Sequence, residues 1–157
     1  MQIGDNHYDS GETAPGQADL ARIVEQWIAA FNAHNVASIS ALYANDAELF
    51  DSGMRRARQG RDEITAWFTR RFRQMPAIQY TPIRYFLDGS QAAVYWLAEG
   101  KTPAFLRQRW LARSFQVDGV SIFRTQDGLI TWQHGYYDHL QMVERVIPPL
   151  RWLPLKL

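Results

Sequence analysis

The 157-residue sequence predicts an α+β fold, because helical and strand patterns occupy separate halves of the chain. Between Asp19 and Met75, apolar residues recur at three- and four-residue steps, the period of amphipathic helices. From Ala77 to Asp138, β-branched and aromatic residues alternate with polar ones instead. Within that half, Asp127-Gly128 separates two alternating arms, which is a strong hairpin signal. Two strands do not bury their own apolar face, so we expect the helices to cover it.

Three helices are predicted in the first half. The first covers residues 19 to about 32, whose apolar side chains form one stripe. Asn35 is a suitable N-cap for a second, shorter helix over residues 36–43. The third covers residues 60–75, with acidic side chains in its first turn, and ends before Pro76 because the residue preceding proline avoids helical angles.

The strands are predicted from alternation and turn residues. Residues 47–51 form a short strand, and residues 78–87 form an edge strand because Pro82 cannot donate to a ladder. Residues 92–99 and the two hairpin arms follow. We expect a curved antiparallel sheet of roughly four to six strands, covered by the three N-terminal helices. Such a sheet curls into a cone and leaves a cavity under the helices.

The domain is expected to cover residues 18–147. Residues 1–17 are polar and punctuated by Gly and Pro, which indicates a flexible tail. Arginines alternate with other side chains in residues 104–114, which would make a cationic face if this segment is a strand. Residues 139–146 have the pattern of one or two helical turns. Residues 148–157 form an apolar, proline-rich tail that we expect to lie in a groove or a subunit interface.

Composition excludes several classes of partner. A net charge of +1 without a basic run disfavours nucleic acid and anionic membranes. No apolar segment approaches a membrane span, and residues 1–6 lack the basic start and apolar core of a signal peptide. The absence of cysteine fits a reducing compartment, so we expect a cytoplasmic protein. The four histidines show no metal-ligand spacing, so no metal site is predicted.

Several strings, in their order and spacing, resemble the nuclear transport factor 2-like superfamily. They are residues 30–36, 41–51, 59–64 and 122–130, and the string Tyr136-Tyr137-Asp138. The similarity is to its small-molecule branch of SnoaL-like polyketide cyclases, steroid Δ-isomerases and limonene-epoxide hydrolases. It implies the cone-shaped fold with a pocket, but it does not select one chemistry, since one fold hosts many.

Comparison with the steroid isomerases implies a role for Asp51, which matches the position of their general base. Their oxyanion hole uses a tyrosine on the first helix and an acid on the strand before the Asp-Gly turn. Those positions read Trp27 and, allowing one residue of slippage, Val120 or Ser121. No acidic donor is left there, which argues against steroid isomerisation by that route.

The other two groups imply an aspartate on the last strand, where this sequence has Gly135. The epoxide hydrolases also need an arginine and an aspartate two residues apart on a middle strand. The best match is Leu97 and Glu99, so the arginine is missing. Each known catalytic set is therefore incomplete, and Asp51 and Glu99 are the acids that remain.

Both acids have two interpretations. Asp51 is a general base made more basic by apolar walls, or a strand-ending aspartate that bonds the Ser52-Gly53 turn. Glu99 is a second pocket acid or, preferably, a solvated strand end. His134 suits acid–base chemistry, but its position in the last strand points outward, together with Trp132 and Tyr136.

Six residues are predicted to shape the substrate pocket. On the last strand, Gln133, Gly135 and Tyr137 share one face, and the resemblance implies that this face points inward. The complete predicted lining is Trp27, Tyr43, Trp96, Val120, Gln133 and Tyr137.

The leading hypothesis is a cofactor-free isomerase or cyclase that acts on an apolar, carbonyl-containing substrate of polyketide, steroid or terpenoid type. The first alternative is a hydrophobic-ligand-binding or dimerisation module without turnover, and the second is an epoxide hydrolase-like enzyme.

A homodimer is expected through the outer sheet face and the C-terminal tail. An Asp51 that faces a closed apolar cavity without an Arg or Lys partner favours the enzyme. A hollow filled by its own side chains would leave only the architecture.

Overall fold

A computed structural model describes residues 15–101 and 114–138, and it confirms the predicted α+β fold. Predictions on residues 1–14, 102–113 and 139–157 lie outside the described residues. The first helix begins earlier than expected and includes residues 15–17 of the predicted tail. The elements are α1 (Pro15–Asn32), α2 (Val36–Ala41), β1 (Tyr43–Asp51), β2 (Arg58–Gln59), α3 (Gly60–Gln74), β3 (Gln79–Asp88), β4 (Gln91–Lys101), β5 (Ser114–Gln126) and β6 (Leu129–Tyr137).

Six strands form one sheet in the order β2-β1-β6-β5-β4-β3. The strand carrying Pro82 lies at an edge, as its missing donor predicts. Neighbouring strands are antiparallel except β1 and β6, which run parallel with Asp51 opposite Gly135. The sequence did not predict this pair, because no hairpin joins the two strands and nothing local sets their direction.

The hairpin between β5 and β6 turns at the predicted dipeptide. Asp127 and Gly128 have φ angles of 52° and 77°, so both central residues take the left-handed conformation of a type I′ turn. The twist of this turn matches the twist of the flanking strands. The two predicted strands on either side of this dipeptide are therefore joined as a hairpin, as the sequence predicts.

The prediction that the second helix extends to Tyr43 is wrong. The Asn35 side chain accepts the Ser38 N–H at 3.0 Å, so the cap is as predicted, but the helix ends at Ala41. Tyr43 instead begins β1, where it pairs with Ile130 of β6. This non-local pairing also starts the strand four positions before Ala47, the start that local alternation indicated.

The helices bury their apolar stripes against one face of the sheet. Aromatic rings from both layers meet there: Phe31 of α1 stacks on Tyr80 of β3 at 4.1 Å, and Tyr80 stacks on Trp96 of β4 at 4.5 Å. Phe68 and Phe72 of α3 close the same core. Within the two described ranges, none of the helices has the length and apolar character that a membrane crossing needs.

Candidate functional site

The carboxylate of Asp51 lies at the end of β1 under the helices and is 7% exposed. Its Oδ1 accepts the Gly53 N–H at 2.8 Å and the Tyr137 hydroxyl at 2.9 Å. No described residue donates a hydrogen bond to Oδ2, which would lie 3.9 Å from a Cβ atom built on Gly135. The carboxylate is therefore held through one oxygen, while the other faces the space beside Gly135.

Local sequence explains this placement. Asp51 ends its strand at Ser52-Gly53, and the Gly53 N–H bond to Oδ1 is the turn interaction that aspartate often makes two residues on. The Met54 N–H also donates to the Asp51 carbonyl oxygen at 2.7 Å. The turn therefore occupies Oδ1 and leaves Oδ2 available.

Tyr137 reaches Asp51 from the inward face of β6. Burial, followed by the charge of Asp51, raises the pKa of the Tyr137 hydroxyl well above its usual range. The hydroxyl consequently keeps its proton at neutral pH and remains a hydrogen-bond donor. Its bond to Oδ1 fixes the orientation of the carboxylate.

Arg71 of α3 is a site residue that the sequence analysis missed. Its Nε is shielded from solvent and has no hydrogen-bond partner among the described residues. Burial by itself lowers the pKa of the guanidinium, whereas two tyrosine hydroxyls and the charge of Asp51 raise it, and the net pKa is raised. Arg71 is therefore a cation near Asp51, but no ion pair joins them among the described residues.

The signal for Arg71 was present in the sequence. Ile64, Phe68 and Arg71 follow one another at steps of four and three, so they lie on the same helix face. The apolar residues of this face identify it as core-facing, and Arg71 is the charge within it. A charged residue at a core-facing position is a stronger functional indication than another aromatic.

The space beside Oδ2 is small. It measures about 10 Å³ and lies between Trp67, Trp96 and Gly135. A water molecule needs roughly this volume, so no larger molecule fits while the side chains hold these positions. The predicted oily hollow is therefore not found in the described interior, because stacked aromatic rings fill the space under the helices.

A much larger cavity opens on the outer side of Trp67 and Arg71. It measures about 590 Å³, and we call it the arginine cleft. Trp67 also lines the small space beside Asp51, and Arg71 also lines a second internal space with Tyr80 and Tyr137. The two side chains thus separate the cleft from the interior. The cleft is lined by Gly53, Met54, Arg55, Arg56, Arg58, Trp67, Arg70, Arg71 and Gln74.

Three of the predicted pocket residues form one internal chain of hydrogen bonds. Trp27 Nε1 donates to the Tyr43 hydroxyl at 2.8 Å, and Tyr43 donates in turn to Gln133 Oε1. Trp27 and Gln133 line the space beside Asp51, whereas Tyr43 is fully buried behind them and lines none of the described cavities. Tyr43 therefore holds Gln133 rather than facing a ligand.

Either Val120 or Ser121 was matched to the position of the oxyanion-hole acid, and strand alternation shows which of the two points inward. Ser121 is buried, lines the space beside Asp51 and accepts the Trp96 Nε1–H at 3.0 Å. Val120 lies on the opposite face of β5, because a shift of one residue moves a side chain across the sheet. The inward residue at this position is thus Ser121.

Glu99 and His134 are not brought to Asp51. Glu99 lies exposed at the end of β4, on the face opposite Trp96, and its carboxylate accepts the Gln116 Nε2–H at 3.1 Å. His134 lies on the outer face of β6, where its Nε2 is 2.8 Å from a Glu48 oxygen. In the described part of the chain, no group of three or more His, Cys, Asp or Glu residues is placed to hold a metal ion.

The fold is that of a SnoaL-like protein. Residues 24–133 match the SnoaL-like domain, and the chain belongs to that family. No curated protein matches the chain.

Solved structures agree with this assignment. A hypothetical protein with a ketosteroid isomerase-like fold from Catenulispora acidiphila, solved with trimethylamine, is 22% identical over 84% of this chain and 97% of its own, with a TM-score of 0.71. A candidate SnoaL-like polyketide cyclase from Jannaschia sp. CCS1 is 12% identical over 87% and 96%, with a TM-score of 0.75. An LEH-like epoxide hydrolase from M. tuberculosis is 19% identical over 87% and 96%, with a TM-score of 0.67. At these identities the likeness establishes the fold alone.

Proposed function

We propose that the chain is a cofactor-free acid–base enzyme of the isomerase or cyclase class, in which Asp51 removes a proton next to a carbonyl group. One observation carries this proposal: two donors hold Oδ1 of a buried carboxylate, while no described residue donates to Oδ2. An oriented carboxylate in an apolar site is an effective general base. Oδ2 accepts the proton in this mechanism.

Tyr137 and Arg71 have supporting roles. Tyr137 is a positioning residue that acts through Asp51 and keeps Oδ2 turned toward the substrate. Removal of a proton next to a carbonyl develops negative charge on the carbonyl oxygen, and a fixed cation opposes that charge. Arg71 is a nearby cation, and its Nε is a donor that has no acceptor among the described residues.

Substrate access requires a side chain to move. The space beside Oδ2 is about 10 Å³, so the carbonyl enters only when the wall between this space and the arginine cleft opens. Trp67 is half-buried and forms that wall. The substrate is proposed to be an apolar carbonyl compound, because Trp67, Trp96 and neighbouring aromatic rings would surround it.

The test is exchange of substrate hydrogen for deuterium. The protein is incubated in D₂O with a panel of apolar cyclic ketones, and incorporation next to the carbonyl is followed by mass spectrometry. Asp51→Asn should slow exchange about 10²- to 10⁴-fold, the contribution of a general base. Asp118→Asn is the matched control, because Asp118 also accepts a tyrosine hydroxyl but on the exposed face of the sheet. Full exchange in Asp51→Asn would refute the role of Asp51.

The filled interior meets the condition under which only the architecture stands, and it favours a second candidate, a dimerisation module without turnover. Under this alternative no ketone in the panel exchanges its hydrogen faster than it does without protein.

An epoxide hydrolase is less well supported, since Gly135 and Leu97 replace the residues that its chemistry needs. The homodimer and the cytoplasmic location remain predictions.

A further inference from the structure

We propose that the arginine cleft binds a carboxylate, so that the ligand of this protein is an organic acid with a flat apolar body. The inference deepens the proposed function and rests on it in one respect, namely that this acid is the substrate of Asp51. The body would lie along Trp67, and the carboxylate would meet the arginines of α3 and of the segment after β1.

The size and the charge of the arginine cleft both suit a small organic anion. The volume of about 590 Å³ lies within the usual range of small-molecule sites, roughly 300–1,000 Å³. Five of the described lining residues are arginines and none of the described ones is acidic, although the whole chain has a net charge of only +1. Such a local excess of cations attracts an anion from solution.

Internal ion pairs do not account for this excess. Arg56 is paired, since its two terminal nitrogens lie 2.8 Å and 3.0 Å from the carboxylate of Glu63. Arg55 and Arg70 form no ion pair with any residue that the structure describes. Guanidinium groups present planar donor pairs that match the two oxygens of a carboxylate.

Arg71 supplies an independent indication of a ligand. Its Nε is buried and has no acceptor among the described residues, an unfavourable arrangement that an incoming oxygen would correct. The guanidinium lies 5.6 Å from the ring of Trp67, so a flat molecule on that ring would have its charged end beside Arg71. A singly charged carboxylate suits this place better than a doubly charged phosphate, because Asp51 lies near Arg71 and repels an anion.

The experiment measures binding of 2-naphthoate and its neutral analogue 2-naphthamide by titration calorimetry. The acid should bind saturably and the amide at least tenfold more weakly. Arg70→Gln should weaken binding of the acid about tenfold, and added salt should weaken it further. Arg73→Gln is the matched control, because Arg73 is an exposed arginine of the same helix that does not line the cleft.

Several results would overturn the proposal. They are no saturable binding of 2-naphthoate, equal binding of the amide, equal effects of Arg70→Gln and Arg73→Gln, or tighter binding of 2-naphthyl phosphate than of the acid. A different result would refute the proposed function and leave the carboxylate site standing. In that case 2-naphthoate binds as expected, but Asp51→Asn leaves the rate of deuterium exchange unchanged. Conversely, if Asp51→Asn abolishes exchange and 2-naphthoate does not bind, the function stands and the carboxylate site falls.

Discussion

Two tyrosine–carboxylate pairs occur on this sheet, one on each face. Tyr137 donates to Asp51 at 2.9 Å under the helices, and Tyr95 donates to Asp118 at 3.2 Å on the outer surface. The donor and acceptor types are the same in both pairs. What differs is the surroundings, since Asp51 is enclosed by aromatic rings and Asp118 is exposed.

The difference shows in the cause of each tyrosine's pKa shift. For Tyr137, burial is the largest cause of the raised pKa, whereas for Tyr95 it is the hydrogen bond to Asp118. Water competes for every group of the outer pair and screens its charge. The inner pair has a buried charge and an oxygen to which no described residue donates, and this makes it the candidate for chemistry.

The largest expected effect comes from a second carboxylate in the inner site. A Cβ on Gly135 would lie 3.7 Å from Ser121 Oγ and 3.9 Å from Asp51 Oδ2, so a side chain begins there without a clash. Gly135→Asp should lower the free energy of unfolding by about 3 kcal/mol at neutral pH, because two buried carboxylates repel each other. Urea denaturation measures this loss.

Gly135→Asn is the control for that variant, since it has nearly the same size without the charge. The stability difference between the two variants should shrink as the pH falls, because one carboxyl group is then protonated. An equal loss in both variants at every pH would show that crowding, not charge, limits the inner site.

A smaller effect is expected from opening the wall. Trp67→Ala should cost about 2 kcal/mol, less than a fully buried tryptophan, because Trp67 is only half-buried. The substitution should also raise the solvent exposure of the Asp51 carboxylate toward that of Asp118. Carbodiimide-promoted coupling, followed by peptide mass spectrometry, should modify Asp118 faster than Asp51 in the unaltered protein.

In Trp67→Ala the two coupling rates should approach each other. Trp132, which is also half-buried but lies on the outer face of β6, provides the matched alanine control and should leave the ratio unchanged. A ratio that does not change in Trp67→Ala would mean that Trp67 does not separate Asp51 from the cleft.

Local signals explain why much of the fold was predictable. The Asp127-Gly128 turn, the Asn35 cap and the helix end before Pro76 each depend on residues adjacent in the chain. The start of β1 depends instead on parallel pairing with β6, so the end of the second helix was misplaced at Tyr43. Elements with a local cause were predicted, and β1 was predicted as well, but its start, which is set by a distant strand, was not.

In the candidate site, too, features with a local cause were predictable and features that depend on distant residues were not. Asp51 was recognisable through the resemblance to the steroid isomerases, and alternation put Gln133 and Tyr137 on one face of their strand, which the resemblance implied to be the inward face. The bond between Asp51 and Tyr137 depends on the register of β1 against β6, which no short string contains. The filled interior was also unpredictable, because it depends on how rings from separate elements, such as Phe31 and Tyr80, pack together.

Removing the inner tyrosine hydroxyl should have a moderate effect. Tyr137→Phe deprives the buried carboxylate of one of two donors and should cost about 1–2 kcal/mol in urea denaturation. Tyr95→Phe removes the corresponding hydroxyl of the outer pair and should change stability by less than about 0.5 kcal/mol. Equal losses in the two variants would mean that burial does not distinguish the pairs.

The smallest effect concerns alkaline pH. Burial raises the pKa of Tyr80 to about 12, so the folded protein keeps this proton after the unfolded chain has lost it. The stability from this proton is complete below the ordinary tyrosine pKa of about 10 and declines as the pH rises from there toward about 12. One proton contributes a slope of about 1.4 kcal/mol per pH unit, so Tyr80→Phe should flatten the decline by up to that amount. Tyr95→Phe is the outer-face control and should flatten the decline less, since Tyr95 is less buried than Tyr80. Urea denaturation between about pH 8 and pH 11 measures both variants. Identical slopes would show that burial of Tyr80 does not govern its proton.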